Sequence, residues 1–266
     1  MMLTVTALHI FPVKSLGGIS VYAWPVELRG FKHDRRWMVI DAGGNFLTQR
    51  EIPQLARIGT EIIEDKIFVF DKRNPKDYCM LPLELTSGAE VKTNVWQFES
   101  VSLAGDAESE KWISEKTGQP CRFVFMPDVV HRQVDLTYAR EGDQTNFSDG
   151  YPVLLCNQAS LDDLNTKLAH PVGMIRFRPN LVVAGAQPWE EDVWKEIEIG
   201  KNAMRVVKPC GRCVITTNDP ETGIMSKEPL KTLASFRTMG HRIVFGQNCI
   251  PENAGMIKVG DVVSVK

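Results

Sequence analysis

The sequence predicts a β-rich α+β protein, and three features of its N-terminal part indicate this fold class. Residues 3–11 alternate in a β-prone pattern that ends at Pro12. Residues 37–40 are a short apolar run followed by a hairpin signal at residues 41–45. Further short runs are separated by turn signals at residues 64–66 and 72–75. Strands at this spacing predict a small β-barrel or rolled sheet over roughly the first hundred residues.

The composition is that of a soluble globular protein. The 266 residues are enough for two domains, and 43% hydrophobic with 24% charged residues is ordinary for this class. The net charge of −2 gives no reason to expect nucleic acid as a partner. No apolar run approaches the roughly 18 residues of a membrane span, and the N-terminus lacks the basic start of a signal peptide. Six cysteines in a chain of this length do not indicate a disulfide framework, so a cytoplasmic location is predicted.

The middle of the chain is predicted to contain the first helix. A second strand at residues 19–26 precedes it, and a strand at residues 121–125 follows it. The helix covers residues 106–115, with Asp106 as its N-cap and with Trp112 and Ile113 on its apolar face. Residues 127–150 are polar and short of apolar side chains, which indicates a long surface loop. Long loops in compact domains are often functional.

The second half is predicted to contain two more helices and several strands. One helix begins at Ser160, which forms a capping-box-like start with Asp163, and places Leu161, Leu164 and Leu168 on one face. A shorter helix is predicted at residues 229–237. Strands are predicted at residues 181–184, 190–199 and 204–207, and a hairpin-like pair at residues 257–265.

Residues 208–223, KPCGRCVITTNDPETG, are the most informative stretch. Cys210 and Cys213 stand three residues apart with Arg212 between them. The β-branched run at residues 214–217 and the turn signal at residues 219–223 predict that the cysteine pair lies in a loop that feeds a strand.

Four interpretations of this cysteine pair compete. A redox pair would begin a helix, which the β-branched run disfavours, and structural zinc needs four ligands, usually from a second close pair. The other four cysteines are scattered singly. A single thiolate beside an arginine would hold a soft transition metal, whereas two small buried thiols would only pack. The spacing alone does not separate these last two interpretations.

The residues around the pair resemble a known family. Pro209-Cys210-x-Arg212-Cys213, followed by Thr216-Thr217-x-Asp219-Pro220-x-Thr222-Gly223, resembles the MOSC domain, the C-terminal domain of molybdenum cofactor sulfurases. The resemblance is closest to the subgroup of the mitochondrial amidoxime-reducing component and its bacterial relatives. It continues in the same order over nearly the whole chain, through residues 12–15, 34–35, 159–165, 177–180, 227–230 and 257–261. It implies an N-terminal MOSC-associated β-barrel domain at residues 1–120 and a MOSC-type β-barrel domain with a few short helices at residues 121–266.

The resemblance also implies a molybdenum cofactor of the molybdopterin type and a set of residues that bind it. The second cysteine of the pair is the metal ligand in that family, which assigns Cys213 as ligand and leaves Cys210 a packing role. An aspartate of the metal pocket matches Asp149, so Cys213 and Asp149 are the predicted catalytic residues. The positions that bind the pterin and its phosphate correspond to Lys14, Ser15, Arg35 and Arg178.

Taken without the resemblance, each of these positions has an ordinary structural interpretation. Lys14 fits a solvated lysine in a strand-end turn, and Arg35 fits a surface salt-bridge cluster. Arg178 fits an arginine that satisfies loop carbonyls, and Asp149 fits a turn or helix-cap aspartate. One departure from the family also matters. Tyr151 stands where relatives often have a small or hydroxyl residue near the cofactor.

The predicted activity is reduction of N-hydroxylated compounds, such as hydroxylamines, amidoximes and N-hydroxylated bases. No ferredoxin-like cysteine cluster follows the last predicted strand, so the electrons are expected from a separate ferredoxin-like, flavin or haem protein. The alternative is a non-catalytic carrier of the molybdenum cofactor or of sulfur. A third possibility, a structural β-rich binding module, requires the predicted site residues to be scattered over the fold.

Overall fold

The structure is a computed structural model and describes residues 2–266. Strands dominate the first half of the chain, which contains one α-helix. In order, the elements are β1 (Thr4–Ile10), β2 (Ile19–Val21), β3 (Ala23–Glu27), β4 (Gly30–Phe31), β5 (Trp37–Asp41), β6 (Ile58–Ile63), β7 (Lys66–Asp71), β8 (Asn74–Pro82), β9 (Glu90–Val95), β10 (Phe98–Ala104), α1 (Ala107–Thr117) and β11 (Cys121–Phe125). A 3₁₀ helix, Pro53–Arg57, lies between β5 and β6.

The second half adds two short α-helices and further strands. The elements are β12 (Arg132–Gln133), β13 (Gln144–Thr145), β14 (Val153–Asn157), α2 (Gln158–Asn165), β15 (Leu181–Ala184), β16 (Glu196–Ile199), β17 (Asn202–Gly211), α3 (Leu230–Ala234), β18 (Thr238–Met239), β19 (Arg242–Pro251), β20 (Gly255–Lys258) and β21 (Val263–Val265). Three 3₁₀ helices lie at Met174–Phe177, Glu190–Asp192 and Val214–Thr217. The β-rich α+β fold class predicted from the sequence is confirmed.

The largest sheet joins the two ends of the chain. Its strand order is β2-β1-β15-β14-β19-β17-β16-β21, with β18 paired to β19. Only the β14–β15 pair in this path is parallel. Smaller sheets of the first half have the orders β5-β11-β10-β9 and β6-β7-β8, and β3 pairs with both β4 and β20. Because β1 and β3 pair with strands of the second half, the predicted domain boundary at residue 120 stays a prediction.

Two large apolar cores lie on either side of the segment that follows β1. The first packs under the large sheet and contains Val5 and Ile10 of β1. The second packs among the smaller sheets of the first half and contains Val13, Leu16 and Trp37. Residues 11–16 are all buried, so this segment runs from one core to the other. The position of Lys14 and Ser15 is therefore set by burial of their apolar neighbours.

The first helix is as predicted, and the second begins earlier than predicted. The Asp106 carboxylate accepts from the backbone N–H of Ser109 at 2.7 Å, as an N-cap should. The N-cap of α2 is Asn157, whose side chain accepts from the N–H of Ala159, so the prediction of Ser160 as cap is wrong. The Ser160 hydroxyl is buried inside the helix and donates to the carboxylate of Glu191 instead.

Three strand predictions need correction. The predicted strand at residues 19–26 is divided at Tyr22 into β2 and β3. Of residues 190–199, only Glu196–Ile199 is a strand. Residues 257–265 do not form a hairpin, because β20 pairs with β3 and β21 pairs with β16. The turn between them docks on β1, where the N–H of Gly260 donates to the Val5 carbonyl at 2.8 Å.

Candidate functional site

The segment after β1 presents Lys14 and Ser15 from a tightly fixed turn. Pro12 ends the strand because it has no N–H to donate. The Lys14 N–H donates to the Trp37 carbonyl at 2.7 Å, which ties the turn to β5. Ser15 has a φ of 69°, in the left-handed region that non-glycine residues seldom adopt. Backbone strain of this kind concentrates at functional sites.

Arg35 and Arg178 share the same unusual backbone geometry and the same aromatic ring. Their φ values are 48° and 55°. Both guanidinium groups stack on the buried Phe11 ring, at 4.3 Å and 4.2 Å from its centroid. Gly18 is required beside this ring, because a Cβ there would come within 2.4 Å of it. The shared ring holds two cations close together, although they repel each other.

The two arginines differ in how their charge is balanced. Arg35 donates to the buried carboxylate of Asp34 at 2.5 Å and to the side-chain oxygen of Asn180 at 3.1 Å. Arg178 donates to the carbonyl of Leu16 at 2.6 Å and has no carboxylate partner among residues 2–266. Burial, and then the nearby charge of Arg35, lower the pKa of Arg178 to about 9. An anion bound at this point would relieve both effects.

Asp149 lies between two cations at the end of the long loop. Its carboxylate accepts from Lys14 Nζ at 2.6 Å and from Arg50 Nη2 at 3.1 Å. The buried Arg132 fixes the end of this loop, because its guanidinium donates to the backbone carbonyls of Asn146 and Asp149. Residues 127–150 thus form the predicted loop, apart from the two-residue pair β12–β13.

Burial and neighbouring charges act in opposite directions on the pKa values of Lys14 and Asp149. Burial lowers the pKa of the Lys14 ammonium to about 8, although Asp149 raises it. The protein around the recessed Asp149 carboxyl displaces water and raises its pKa, but the charges of Lys14 and Arg50 outweigh this effect and hold that pKa well below its usual range. The Asp149 side chain is 55% exposed and lines the cavity, whereas that of Lys14 is only 6% exposed.

The cysteine pair follows a long strand and does not feed one. Cys210 lies at the end of β17, and the run Val214–Thr217 after Cys213 forms a 3₁₀ helix, so the predicted strand is wrong. The hydroxyls of Thr216 and Thr217 donate to the carbonyls of Cys213 and Val214, at 3.0 Å and 2.7 Å. Such side-chain-to-backbone bonds favour a turn over a strand.

Arg212 fixes the loop between the two cysteines. Its N–H donates to the carbonyl of Ile243 at 2.7 Å, and its guanidinium donates to the carbonyl of Phe177 at 2.8 Å. Nη1 lies 2.9 Å from the Sγ of Cys210. Cys213 is half-buried and lies beside Arg50. Burial lowers the pKa of the Arg50 guanidinium, but the neighbouring Asp149 and Cys213 outweigh burial and raise that pKa above its ordinary value.

The predicted site residues come together in one cavity. Its lining includes Lys14, Ser15, Arg35, Asp149, Arg178 and Cys213, together with Cys210, Tyr151 and Arg212. The third possibility, in which these residues scatter, does not agree with this arrangement. Arg50, for which the sequence predicts no role, contacts Asp149 from a loop 99 residues away. No local pattern around Arg50 distinguishes it from an ordinary surface arginine.

The charge of the cavity suits an anionic cofactor that carries its own metal ligands. Four cations, Lys14, Arg35, Arg178 and Arg212, line it against the single carboxylate of Asp149. The Nε of Arg212 is buried without a hydrogen-bond partner among residues 2–266. Within the same residues no group of three or more His, Cys, Asp or Glu side chains is arranged to hold a metal ion. A metal bound through Cys213 would take its other ligands from the cofactor, as a dithiolene provides.

Two family models match most of the chain, one in each half. Residues 142–264 match the family described as the MOSC domain. Residues 2–120 match the family described as the MOSC N-terminal beta barrel domain. The crystal structure of the YuaD protein from Bacillus subtilis is similar with a TM-score of 0.45 and 12% identity, over 100% of this chain and 96% of that one.

The chain is also similar to characterised relatives. It is 37% identical to mitochondrial amidoxime-reducing component 1 of Homo sapiens, over 98% of this chain and 82% of that protein. The corresponding protein of Mus musculus is 35% identical, over 98% of this chain and 81% of that protein. The molybdenum cofactor sulfurase of Oryza sativa subsp. japonica is 32% identical over 89% of this chain, which spans 31% of the sulfurase.

The fold and the two matched domains define a protein built of a MOSC N-terminal β-barrel domain and a MOSC domain, with a cationic cavity at the candidate site. Within that class, the chain belongs to the MOSC-domain family of the amidoxime-reducing components. Among residues 2–266, no helix has the length and apolar character needed to cross a membrane. The cytoplasmic location stays a prediction.

Proposed function

We propose that this protein reduces N-hydroxylated compounds, such as amidoximes and hydroxylamines, with electrons from a separate redox protein. The observation that carries the proposal is the cavity in which the Cys213 thiol, the Asp149 carboxylate and the cations Lys14, Arg35 and Arg178 meet. The names of its relatives, which are amidoxime-reducing components, support the choice of reaction.

The residues of the cavity divide into two groups in this proposal. Arg35 and Arg178, which stack on one ring, and Lys14 with Ser15 would hold the phosphate and the pterin. Cys213 would supply the one protein sulfur to the metal. When bound, the cofactor supplies a metal that exchanges two electrons and accepts the oxygen of the N–O bond. The protein's own task is to bind, orient and protonate.

Reduction of R–NHOH to R–NH₂ and water takes up two electrons and two protons, so the site must handle protons. Asp149 is ionised at neutral pH and would accept a hydrogen bond from the substrate hydroxyl. Lys14 contacts Asp149 and has a pKa of about 8, near the value that suits a proton donor at neutral pH. Arg50 holds the other oxygen of Asp149 and so fixes its orientation.

The test is reduction of benzamidoxime by protein purified from a host that makes the molybdenum cofactor. Reduced methyl viologen replaces the unidentified electron donor, and molybdenum is measured in the same sample. We expect molybdenum near one atom per chain and formation of benzamidine. Cys213→Ser should lose both the bound molybdenum and the formation of benzamidine, while its circular dichroism spectrum stays that of wild type. If protein with about one molybdenum atom per chain reduces neither benzamidoxime nor hydroxylamine, the proposed reductase function is ruled out.

One observation favours a second function, transfer of sulfur. Cys210 shares the cavity with Cys213, and the Arg212 guanidinium lies 2.9 Å from its sulfur, where it would stabilise a thiolate or persulfide. Relatives that include sulfurases are consistent with this. Sulfane sulfur released by cyanide from wild-type protein, but not from Cys210→Ser or Cys213→Ser, would support it. No released sulfur from protein purified without reductant would exclude it.

A further inference from the structure

A groove leads from the protein surface to Asp149 and is separate from the cofactor-binding cations. It runs between the tip of the β9–β10 hairpin and the start of β14. Trp96 and Phe98 line it on the hairpin side, and Tyr151 and Lys208 line it on the other. Asp149 lines both this groove and the cavity of the cofactor. A molecule in the groove therefore reaches the proposed metal pocket.

Trp96 is an unusual residue for its place in the backbone. Val95 and Phe98 pair directly, so Trp96 and Gln97 form a two-residue hairpin turn. Trp96 has a φ of 58°, and the first position of such a turn favours glycine or asparagine. Its side chain is also 53% exposed, so burial does not explain the choice of tryptophan. A strained backbone that carries a large exposed ring suggests a function for the ring.

The Trp96 ring is connected to the site by direct contacts. It packs on Phe46 at a centroid distance of 5.3 Å, and the Arg50 guanidinium lies 5.0 Å from its centroid. The same guanidinium donates to Asp149 at 3.1 Å. The ring is thus held at the groove by Phe46 and by Arg50, and Arg50 connects it to Asp149 of the site.

The opposite wall carries one aromatic ring, that of Tyr151, beside Lys208. Lys208 Nζ lies 5.9 Å from the ring centroid of Tyr151 and 4.0 Å from that of Tyr138, which does not itself line the groove. The Tyr151 hydroxyl is buried and has no hydrogen-bond partner among residues 2–266. Tyr151 therefore offers its ring, and not its buried hydroxyl, to a ligand in the groove.

The charges of the groove cancel. Its lining contains two cations, Arg132 and Lys208, and two carboxylates, Asp135 and Asp149. The groove therefore offers no strong selection for an ionic ligand. What it offers is aromatic surface on both sides, which favours a flat, uncharged, aromatic group.

We propose that Trp96 is a specificity residue, which stacks on the aromatic part of an uncharged N-hydroxylated substrate while its N–OH group reaches Asp149. The inference rests on the proposed reductase function and adds to it the class of substrate and the place where the organic part binds.

The test compares two substrates and measures binding separately. Benzamidoxime carries an aromatic ring, whereas hydroxylamine has no organic part. Trp96→Asn removes the ring but suits the turn, because asparagine tolerates a positive φ. We expect its ratio of kcat/KM for benzamidoxime over hydroxylamine to fall about 3- to 10-fold, the usual effect of one aromatic contact. Trp96→Phe, which keeps a ring, should recover most of the ratio. Tyr22→Asn, which alters an exposed aromatic outside the groove, is the matched control.

Isothermal titration of the holoprotein with benzamidoxime, without electron donor, gives a readout independent of turnover. A dissociation constant about 3- to 10-fold higher in Trp96→Asn supports the groove. An equal dissociation constant in both proteins, or an unchanged substrate ratio, overturns the role of Trp96. Wild-type protein that binds benzamidoxime through Trp96 but reduces neither substrate refutes the reductase and leaves the groove supported.

Discussion

Lys14 and Asp149 form an ion pair across 135 residues of sequence, with Nζ 2.6 Å from Oδ1. Lys14 comes from the segment between the two cores and Asp149 from the end of the long loop. The lysine is buried and the carboxylate is half exposed to the cavity. The Lys14 ammonium also donates to the carbonyl of Phe147 at 2.8 Å. This pair thus fastens the loop to the first half of the chain, while the Asp149 side chain stays 55% exposed.

The stability of the cofactor-free protein should rise with pH in a window set by Lys14. Its pKa is lowered from 10.5 to about 8 in the folded state. Below pH 8 both states are protonated and folding bears the full cost of the buried charge. Between pH 8 and 10.5 the unfolded chain binds more protons, so the free energy of unfolding should increase, by roughly 3 kcal/mol in total. Urea titrations across this range measure it.

Lys14→Met is the control for that experiment, because it keeps the shape of the side chain without its charge. The difference in free energy of unfolding between wild type and Lys14→Met isolates the lysine from other groups that titrate at high pH. A difference that stays flat from pH 8 to 10.5 would show that the folded pKa of Lys14 is not lowered.

Arg50 should matter for turnover more than for cofactor content. It is bound to Asp149 at 3.1 Å and stacks on Trp96, but it does not line the cavity of the cofactor. Arg50→Gln should lower kcat/KM for benzamidoxime about 10- to 100-fold, because a misplaced carboxylate no longer orients the substrate. Molybdenum content should stay near that of wild type. Arg73→Gln, which breaks an arginine–aspartate pair at the surface, should have no effect on either. Full activity in Arg50→Gln would contradict the role of Arg50.

The two cysteines should respond differently to the same substitution. Cys213→Ser is expected to lose molybdenum, because serine replaces the soft sulfur ligand. Cys210→Ser should keep about the wild-type amount, since the Cys210 sulfur contacts Arg212 and a serine oxygen can accept the same hydrogen bond. Elemental analysis of both variants, prepared in parallel, decides the matter. Equal loss of metal from both would mean that the pair acts as a unit.

The local sequence marks Lys14 and Arg178 as candidates, and the family resemblance assigns them to the site. Lys14 stands two residues after Pro12, beyond the end of β1, and Arg178 stands beside Pro179 ahead of a buried strand. The sequence predicts the helix cap Asp106 correctly, because the residues that define a cap are neighbours in sequence. The strand content follows from alternation and turn spacing, which are also local.

What the sequence does not show depends on contacts between distant residues. Arg50 acquires its role only because the fold brings Asp149 to it. The left-handed backbone of Ser15, Arg35 and Arg178 is imposed by packing and hydrogen bonding, and their residue types do not predict it. The turn at Thr216 differs from the predicted strand because β-branched residues favour strands on average, whereas here the Thr216 hydroxyl donates to the carbonyl of Cys213.

Asp34 should be among the residues whose loss costs most stability. It is 2% exposed, and its carboxylate accepts from the N–H of Phe11 at 2.8 Å, from Arg35 at 2.5 Å and from Asn180 at 3.0 Å. Asp34→Ala leaves the buried guanidinium of Arg35 without its carboxylate, which typically costs about 3–5 kcal/mol. Urea denaturation gives the difference. Because the same carboxylate sets the direction of Arg35, the variant should also retain less molybdenum.

Asp128→Ala is the matched control for Asp34. The Asp128 carboxylate pairs with Arg36 at 2.8 Å but its side chain is 79% exposed, so its loss should cost less than about 1 kcal/mol. If both variants lose the same small amount, solvent reaches the Asp34 network and the carboxylate does not hold Arg35 in place. If Asp34→Ala is strongly destabilised, the variant Asp34→Asn separates the effect of losing the side chain from the effect of losing its negative charge. Asparagine can still accept from the Phe11 N–H, so any remaining deficit in molybdenum belongs to the lost ion pair with Arg35.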